Sequence, residues 1–156
     1  MTFDPLAHTD HAPRWFEDFH VGEVFHMPSR TMTDALFAAF QLASGDNHPI
    51  HYDRHWCQAQ GHRDLVAHGY QIAIQTCAGA GRLPHMMGPS LIAFLEEGST
   101  FRKAVYAGDT LYPKLTISEL APGRTTGVMT CASTVVNQDG DEVLSGFHKY
   151  LLRRRP

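Results

Sequence analysis

No run of apolar residues in this 156-residue chain approaches the roughly 20 needed to span a bilayer, so no membrane partner is expected. An excess of basic charge is missing too. Thirteen Lys and Arg against 16 Asp and Glu leave a formal net charge of -3, which gives no reason to expect a nucleic-acid partner. Cysteine is sparse: Cys57, Cys77 and Cys131 are odd in number, widely spaced and mostly set among apolar residues. That pattern argues against a disulfide framework or a CxxC metal knuckle and suits the reducing cytoplasm. The opening MTFDPLAHTDHAPRWFEDF lacks a basic start followed by an apolar run, so it does not read as a secretion signal. Repeats and low-complexity segments are absent as well. What remains, 43% hydrophobic residues with 19% charged ones, fits one globular domain with a core of its own. Residues 1–13 read as a flexible arm and 14–156 as the single domain.

Three segments carry helical signals. Residues 34–44, DALFAAFQLAS, set Leu36, Phe40 and Ala43 on one stripe, with Thr33 placed to cap the first turn and Asp34 near its positive end. That helix must stop by Gly45, Asp46 and Asn47, because Pro49 lacks an N–H and pushes His48 out of helical angles. A short helix over RHWCQAQ, capped by Asp53, ends at Gly61. Residues 70–83, YQIAIQTCAGAGRL, are apolar or small on nearly every side. They predict a helix about 21 Å long, buried on most of its circumference and stopped by Pro84.

Downstream the pattern becomes extended. SLIAFLEEGSTFRKAVY, TLYPKLTISEL, RTTGVMTCASTVVN and EVLSGFHKYLLR read as strands, with turns at Gly108-Asp109, Pro122-Gly123 and Asp139-Gly140. A long buried helix followed by antiparallel strands predicts an α+β domain of the hotdog type, a curved antiparallel sheet wrapped around the helix. Such a sheet keeps an open edge, so pairing of two copies is physically reasonable.

The stretch GDNHPIHYDRH carries the chemistry. On a continuous helix Asp46 and His51 would lie about 140° apart at 3.6 residues per turn, so they converge only if the chain turns between them. Asn47, His48 and Pro49 supply that turn. A carboxylate and an imidazole sharing one water form a workable acid/base pair. Gly69 follows His68 at a helix start, where an N–H points outward and can donate to a carbonyl oxygen that gains negative charge. These are the parts needed to add water across a double bond conjugated to a thioester. A metal reading uses the HxxH and HxxxH spacings of His48, His51 and His55; Pro49 and the Asp53 cap break the continuous helix it would need. No metal is expected.

SGDNHPIHYD, then AHG with a small-residue helix, then AGDTL and VVNQDGDEVLSG, together resemble the MaoC-like dehydratase family, which includes (R)-specific enoyl-CoA hydratases. The resemblance runs from about Phe16 to Arg154. It implies a hotdog fold, a homodimer or an assembly of dimers, and an acyl-CoA substrate entering a tunnel near the dimer interface. No separate cofactor is implied, since coenzyme A is part of the substrate. By position, Asp46 and His51 match the pair that holds the attacking water, and Gly69 matches the amide that binds the thioester oxygen. The family loop usually reads GDxNPIH, whereas His48 stands here in place of the asparagine. A hydroxyl-bearing residue of some hydratases falls on Cys77, with Thr76 beside it.

His68 reads as a core or supporting histidine and is left out of the catalytic set. Gln71 and Gln75, four apart, either satisfy buried backbone groups or line a polar acyl pocket. His48, Asn47, Gln71 and Gln75 are the candidate substrate-binding residues, and a polar pocket of this kind would favour a short, branched or dicarboxylic acyl group of the mesaconyl or itaconyl type. Arg102, Lys103 and Arg153 to Arg155 either meet coenzyme A phosphates or stay as solvated strand ends. Two other activities use the same scaffold: a non-catalytic acyl-thioester-binding partner subunit, and an acyl-CoA thioesterase.

Overall fold

The computed structural model describes Asp4, Thr9 and residues 12–156, so the arm expected over 1–13 lies almost wholly outside the described residues. Arg14 is tied to the domain: its N–H donates to Met86 O at 2.7 Å and its guanidinium pairs with Glu23. Two short strands follow, β1 (Val24–His26) and β2 (Arg30–Thr31), then α1 (Asp34–Ser44), α2 (Arg54–Ala59), α3 (Gly69–Ala73) and α4 (Leu83–Met87). The four long strands β3 (Leu91–Phe101), β4 (Thr110–Pro122), β5 (Thr126–Val136) and β6 (Glu142–Arg153) complete the chain. The sheet is antiparallel in the order β1-β4-β5-β6-β3, with β2 also paired to β4. No helix of the described residues is long and apolar enough to cross a membrane.

The long strands form where the sequence alternates. Along β5 every second residue from Gly127 to Val135 is buried and the residues between are half-buried, so one face of the strand is turned to the core. The β5–β6 turn closes as the Asp139-Gly140 pair predicts: Gly140 takes φ +80°, and Asn137 Oδ1 accepts from the N–H groups of Asp139 and Asp141. β1 and β2 were not anticipated, because strands of two and three residues carry no readable period.

The expected helix over 70–83 is not continuous. α3 runs from Gly69 to Ala73 and tightens into a 3-10 turn over Ile74–Thr76; at Cys77 the backbone turns extended, with ψ 116°. A second 3-10 turn, Ala78–Ala80, precedes α4, in whose first turn Pro84 sits. The cause is local. Thr76 Oγ1 donates back to Ala73 O at 2.7 Å, and Gly79 and Gly81 in the run that follows disfavour a continued helix. Pro84, read as a stop, begins a helix, where its missing N–H costs nothing. Burial is one-sided too: Gln71, Ile72, Gln75 and Thr76 face the protein, while Tyr70 is 68% and Ile74 48% exposed.

α1 has the predicted bounds and the predicted cap, Leu36 N–H donating to Thr33 Oγ1 at 3.4 Å. Its buried stripe is rotated from the expected one. Phe37 is buried with Phe40 half-buried, and Ala43 is exposed. Phe37 joins a core of Met32, Leu65, Ile72, Val105, Leu111, Val135 and Leu144, which contributes about 1.5–3 kcal/mol per large apolar side chain. A second core, with Phe16, Leu83, Leu115, Met129 and Leu152, lies under the other half of the sheet. The first core fixes α1 and α3 beside each other and so sets the walls of the site.

Candidate active site

Gly45, in the left-handed region at φ +71°, ends α1 and releases the chain into the loop. Asp46 Oδ1 then accepts the His48 N–H at 2.9 Å, an Asx turn that reverses direction within two residues. His48 Nδ1 accepts from Ile50 N–H at 3.3 Å and caps a 3-10 turn over Pro49–His51. Asp53 caps α2 through Trp56 N–H. Arg54 clamps the far side, bonding Asp34 at 2.6 Å and Asp64 at 2.9 Å.

The turn brings His51 Nε2 to 3.9 Å from Asp46 Oδ2. That is too long for a direct hydrogen bond and short enough for one water to touch both. The protons on the two rings follow from their partners. His51 Nδ1 lies 2.6 Å from Val66 O; a carbonyl only accepts, so Nδ1 carries the proton and a neutral His51 presents the Nε2 lone pair to Asp46. The Asp46 carboxyl is held below its ordinary value, chiefly by the His48 backbone N–H and against a smaller opposing effect of burial.

The histidine expected to be core or supporting, and left out of the catalytic set, is at the centre. His68 Nε2 lies 3.0 Å from Asp46 Oδ2, and its Nδ1 accepts the Tyr70 N–H at 3.0 Å. The signal was present in the AHG motif: a histidine capping a helix with Nδ1 must aim Nε2 away from that helix. Asp46, His51 and His68 place one ligand atom each within 4.8 Å of the others, as a metal site would require. Their protons argue otherwise. A metal on His68 Nε2 would need Nδ1 to carry the hydrogen, and the Tyr70 N–H already occupies that lone pair. The Tyr70 N–H therefore counts against His68 as a metal ligand.

The other predicted residues divide. Gln71, 2% exposed, lines a space of about 10 Å³ with Phe37, Phe40, Gln41, Ser44, Asp46, His51 and His68, room for about one water. Its Nε2 has no hydrogen-bond partner among the described residues. Gln75 is buried and donates to Gln71 O at 2.9 Å, so its amide serves the backbone. Asn47 is exposed and its Oδ1 accepts from Gln41 at 2.8 Å. His48 packs edge-on against Trp56 at the mouth of the loop. Gly69 borders two open clefts of about 390 and 370 Å³, with Phe101 lining both. A Cβ at Gly69 would lie 3.0 Å from the Phe101 ring, so any larger residue there requires that ring to shift. Lys103 pairs with Asp141, and Arg154 and Arg155 bond Glu17 and Asp18. Cys77, where a hydroxyl was sought, is exposed, while Thr76 is buried against His148.

A six-stranded antiparallel sheet with helices laid on it, and an Asp–His loop leading into them, is the hotdog architecture. A Mycobacterium tuberculosis protein with a double hotdog fold superposes with a TM-score of 0.77 and 25% identity over 92% of this chain and 45% of that one. Residues 18–138 match the MaoC like domain, and the chain belongs to that family. It is 30% identical over 131 residues, 83% of this chain and 78% of the relative, to 3-hydroxybutyryl-CoA dehydratase of Methylorubrum extorquens. It also resembles the structure of the monoamine oxidase regulatory protein from Archaeoglobus fulgius, with a TM-score of 0.86 and 25% identity over 95% of this chain and 99% of that one.

Proposed function

We propose that this MaoC-type hydro-lyase adds water reversibly to a 2-enoyl-CoA thioester, giving the 3-hydroxyacyl-CoA of (R) configuration that the family resemblance implies. The observation that carries the reading is the Asp46–His51 pair, 3.9 Å apart, with the imidazole tautomer fixed by Val66. A water donates one hydrogen to Asp46 and the other to His51 Nε2. As its oxygen bonds the β-carbon, His51 takes the proton, and the π electrons shift onto the thioester oxygen. Gly69 N–H, at the first turn of α3 where no intrahelical acceptor exists, holds that oxygen. The imidazolium then returns its proton to the α-carbon, so the enzyme ends as it began. His51 is the base because Asp46 already accepts from two donors and its carboxyl is depressed. The step needs no metal or redox cofactor.

The acyl group we propose is short, branched or dicarboxylic. The space beside Asp46 is walled by Phe37 and Phe40, which leaves little depth for an alkyl tail. Gln71 Nε2 offers an unused donor that an acceptor on the substrate would satisfy, and leaving it unpaired beside a lipid chain is costly. His48 and Asn47 stand at the mouth as candidate contacts. Hydration rates across crotonyl-, mesaconyl-, itaconyl- and a medium-chain enoyl-CoA test this; a clear medium-chain preference would sink it.

The reading also includes a homodimer. β3 is an 11-residue edge strand, and Ile92, Phe94 and Leu95 on it, with Tyr70 and Ile74 on the helix, are exposed apolar side chains that a second copy would cover. Three free thiols, two of them buried, support a reducing cytoplasmic location. The decisive assay is loss of enoyl absorbance without thiol release; release of free thiol would instead mean a thioesterase.

A further inference from the structure

We propose that His68 is a positioning residue that keeps the Asp46–His51 pair apart, by occupying the carboxylate oxygen that His51 would otherwise capture. This rests on the hydration reading. Asp46 Oδ2 faces two imidazole nitrogens, His68 Nε2 at 3.0 Å and His51 Nε2 at 3.9 Å. Only one of them carries a hydrogen when both rings are neutral. Tyr70 N–H fills the His68 Nδ1 lone pair, so His68 must donate from Nε2; Val66 O requires the hydrogen of His51 on Nδ1, so His51 Nε2 must accept. The two rings therefore divide the work by their backbone partners. His68 holds the carboxylate, and His51 stays free to take a proton.

The arrangement is stiff. The His68 ring lies between Phe40 and Tyr70, with centroids 5.3 and 5.6 Å away, and His51 is 5.2 Å from it. The other oxygen of Asp46, Oδ1, is fixed by His48 N–H at 2.9 Å. Titratable groups facing the pair are His48 from the loop and His68 from the start of α3; α1 contributes Phe37, Phe40, Gln41 and Ser44, none of them charged. From α3 the lining adds Gln71, an uncharged amide with no hydrogen-bond partner among the described residues, so His51 and His68 are the titratable groups that face Oδ2.

Removing the His68 donor lets the carboxylate turn and close on His51. The product is a carboxylate–imidazolium ion pair in which His51 Nε2 holds a proton and has lost its lone pair. One proton passes from solvent to His51 Nε2, and no bond between heavy atoms changes. His51 would then titrate at higher pH, and activity that needs its neutral form would appear only at higher pH.

The experiment compares His68→Leu and His68→Gln with the wild type. His68→Leu is expected to lower kcat for crotonyl-CoA hydration by about 10²-fold, the loss typical of a misplaced reacting group, with KM little changed. The acid limb of its pH–rate profile moves to higher pH. His68→Gln, which keeps an N–H donor at similar reach, restores most of kcat and returns the limb toward wild type. Nitrogen NMR of the His51 ring gives the same answer without turnover: its pKa rises in His68→Leu and not in His68→Gln. An unmoved His51 pKa, or glutamine no better than leucine, would overturn the proposal. The NMR shift in His68→Leu together with a wild type that hydrates no enoyl-CoA would overturn the activity and leave the positioning role standing.

Discussion

Two histidine-containing clusters among the described residues are built by opposite rules. In the sheet, His148 is 3% exposed; its Nε2 bonds Thr76 Oγ1 at 3.0 Å and its Nδ1 bonds Tyr150 OH at 2.9 Å. Thr76 gives its own hydrogen to Ala73 O, so it accepts from His148 Nε2–H, and Nδ1 in turn accepts from Tyr150. Every valence is used. Around Asp46, His51 from the loop and His68 from the start of α3 are each fixed on one nitrogen by backbone; the other nitrogen of His68 reaches Asp46 at 3.0 Å, and that of His51 stops at 3.9 Å with its lone pair free. The satisfied cluster is scaffold, and the cluster with a spare lone pair is the one that can do chemistry.

The largest effects should fall on the open cluster and on activity alone. His51→Ala and Asp46→Asn are each expected to cut enoyl-CoA hydration by about 10²–10⁴-fold, with an unchanged near-ultraviolet circular dichroism spectrum. If either variant stays within a few-fold of wild type, the division between the clusters fails. In the sealed cluster the order reverses. Tyr150→Phe leaves His148 Nδ1 without its donor and should cost about 1–3 kcal/mol in urea unfolding, while hydration below the transition stays near wild type.

Gln71 belongs to neither side, being as buried as His148 yet left with an unpaired donor. Gln71→Leu should therefore be neutral to stabilising by about 1 kcal/mol, since an unmet buried amide is removed. The same change should shift preference from mesaconyl-CoA toward crotonyl-CoA. A destabilised Gln71→Leu would mean that the amide is bonded in the folded protein and is not held for a ligand.

How much of this contrast could be read in the sequence differs between its parts. α1 was legible to the residue because Thr33, Asp34 and Gly45 mark its ends chemically. β5 and the Asp139-Gly140 hairpin were legible from alternation and turn residues, whereas β3 ends at Phe101, short of the Tyr106 that its apolar run suggested, and its burial does not alternate. The phase of α1 was not, because Phe37 points at core residues from β4, β5 and β6, and that packing is decided far away in the chain. The helix break at Cys77 was hidden because small apolar residues look helical until the Thr76 hydroxyl and the glycines act together. Asp46 and His51 were found because one loop holds both. His68 was passed over because its partner is on another element, and only the fold brings Nε2 to Asp46.

The smallest effect is a pH dependence of stability confined to the sealed cluster. Burial lowers the His148 pKa from its ordinary 6.5, because the charged ring would lose its water, with a weaker opposing pull from Glu97. Above that value His148 is neutral in both the folded and unfolded chain, and the full stability is present. As pH falls below it, the unfolded chain takes up the proton first, so unfolding is favoured progressively until the folded pKa is passed. The depressed carboxyls of Glu17, Asp18 and Glu23 act in the same direction at lower pH, so they do not mimic a slope that begins near 6.5. Urea midpoints of wild type and His148→Gln, compared from neutral pH down to about pH 5, isolate the histidine. The wild type should lose stability across this interval and the variant should lose less; parallel curves would show that the buried imidazole is not the group that titrates.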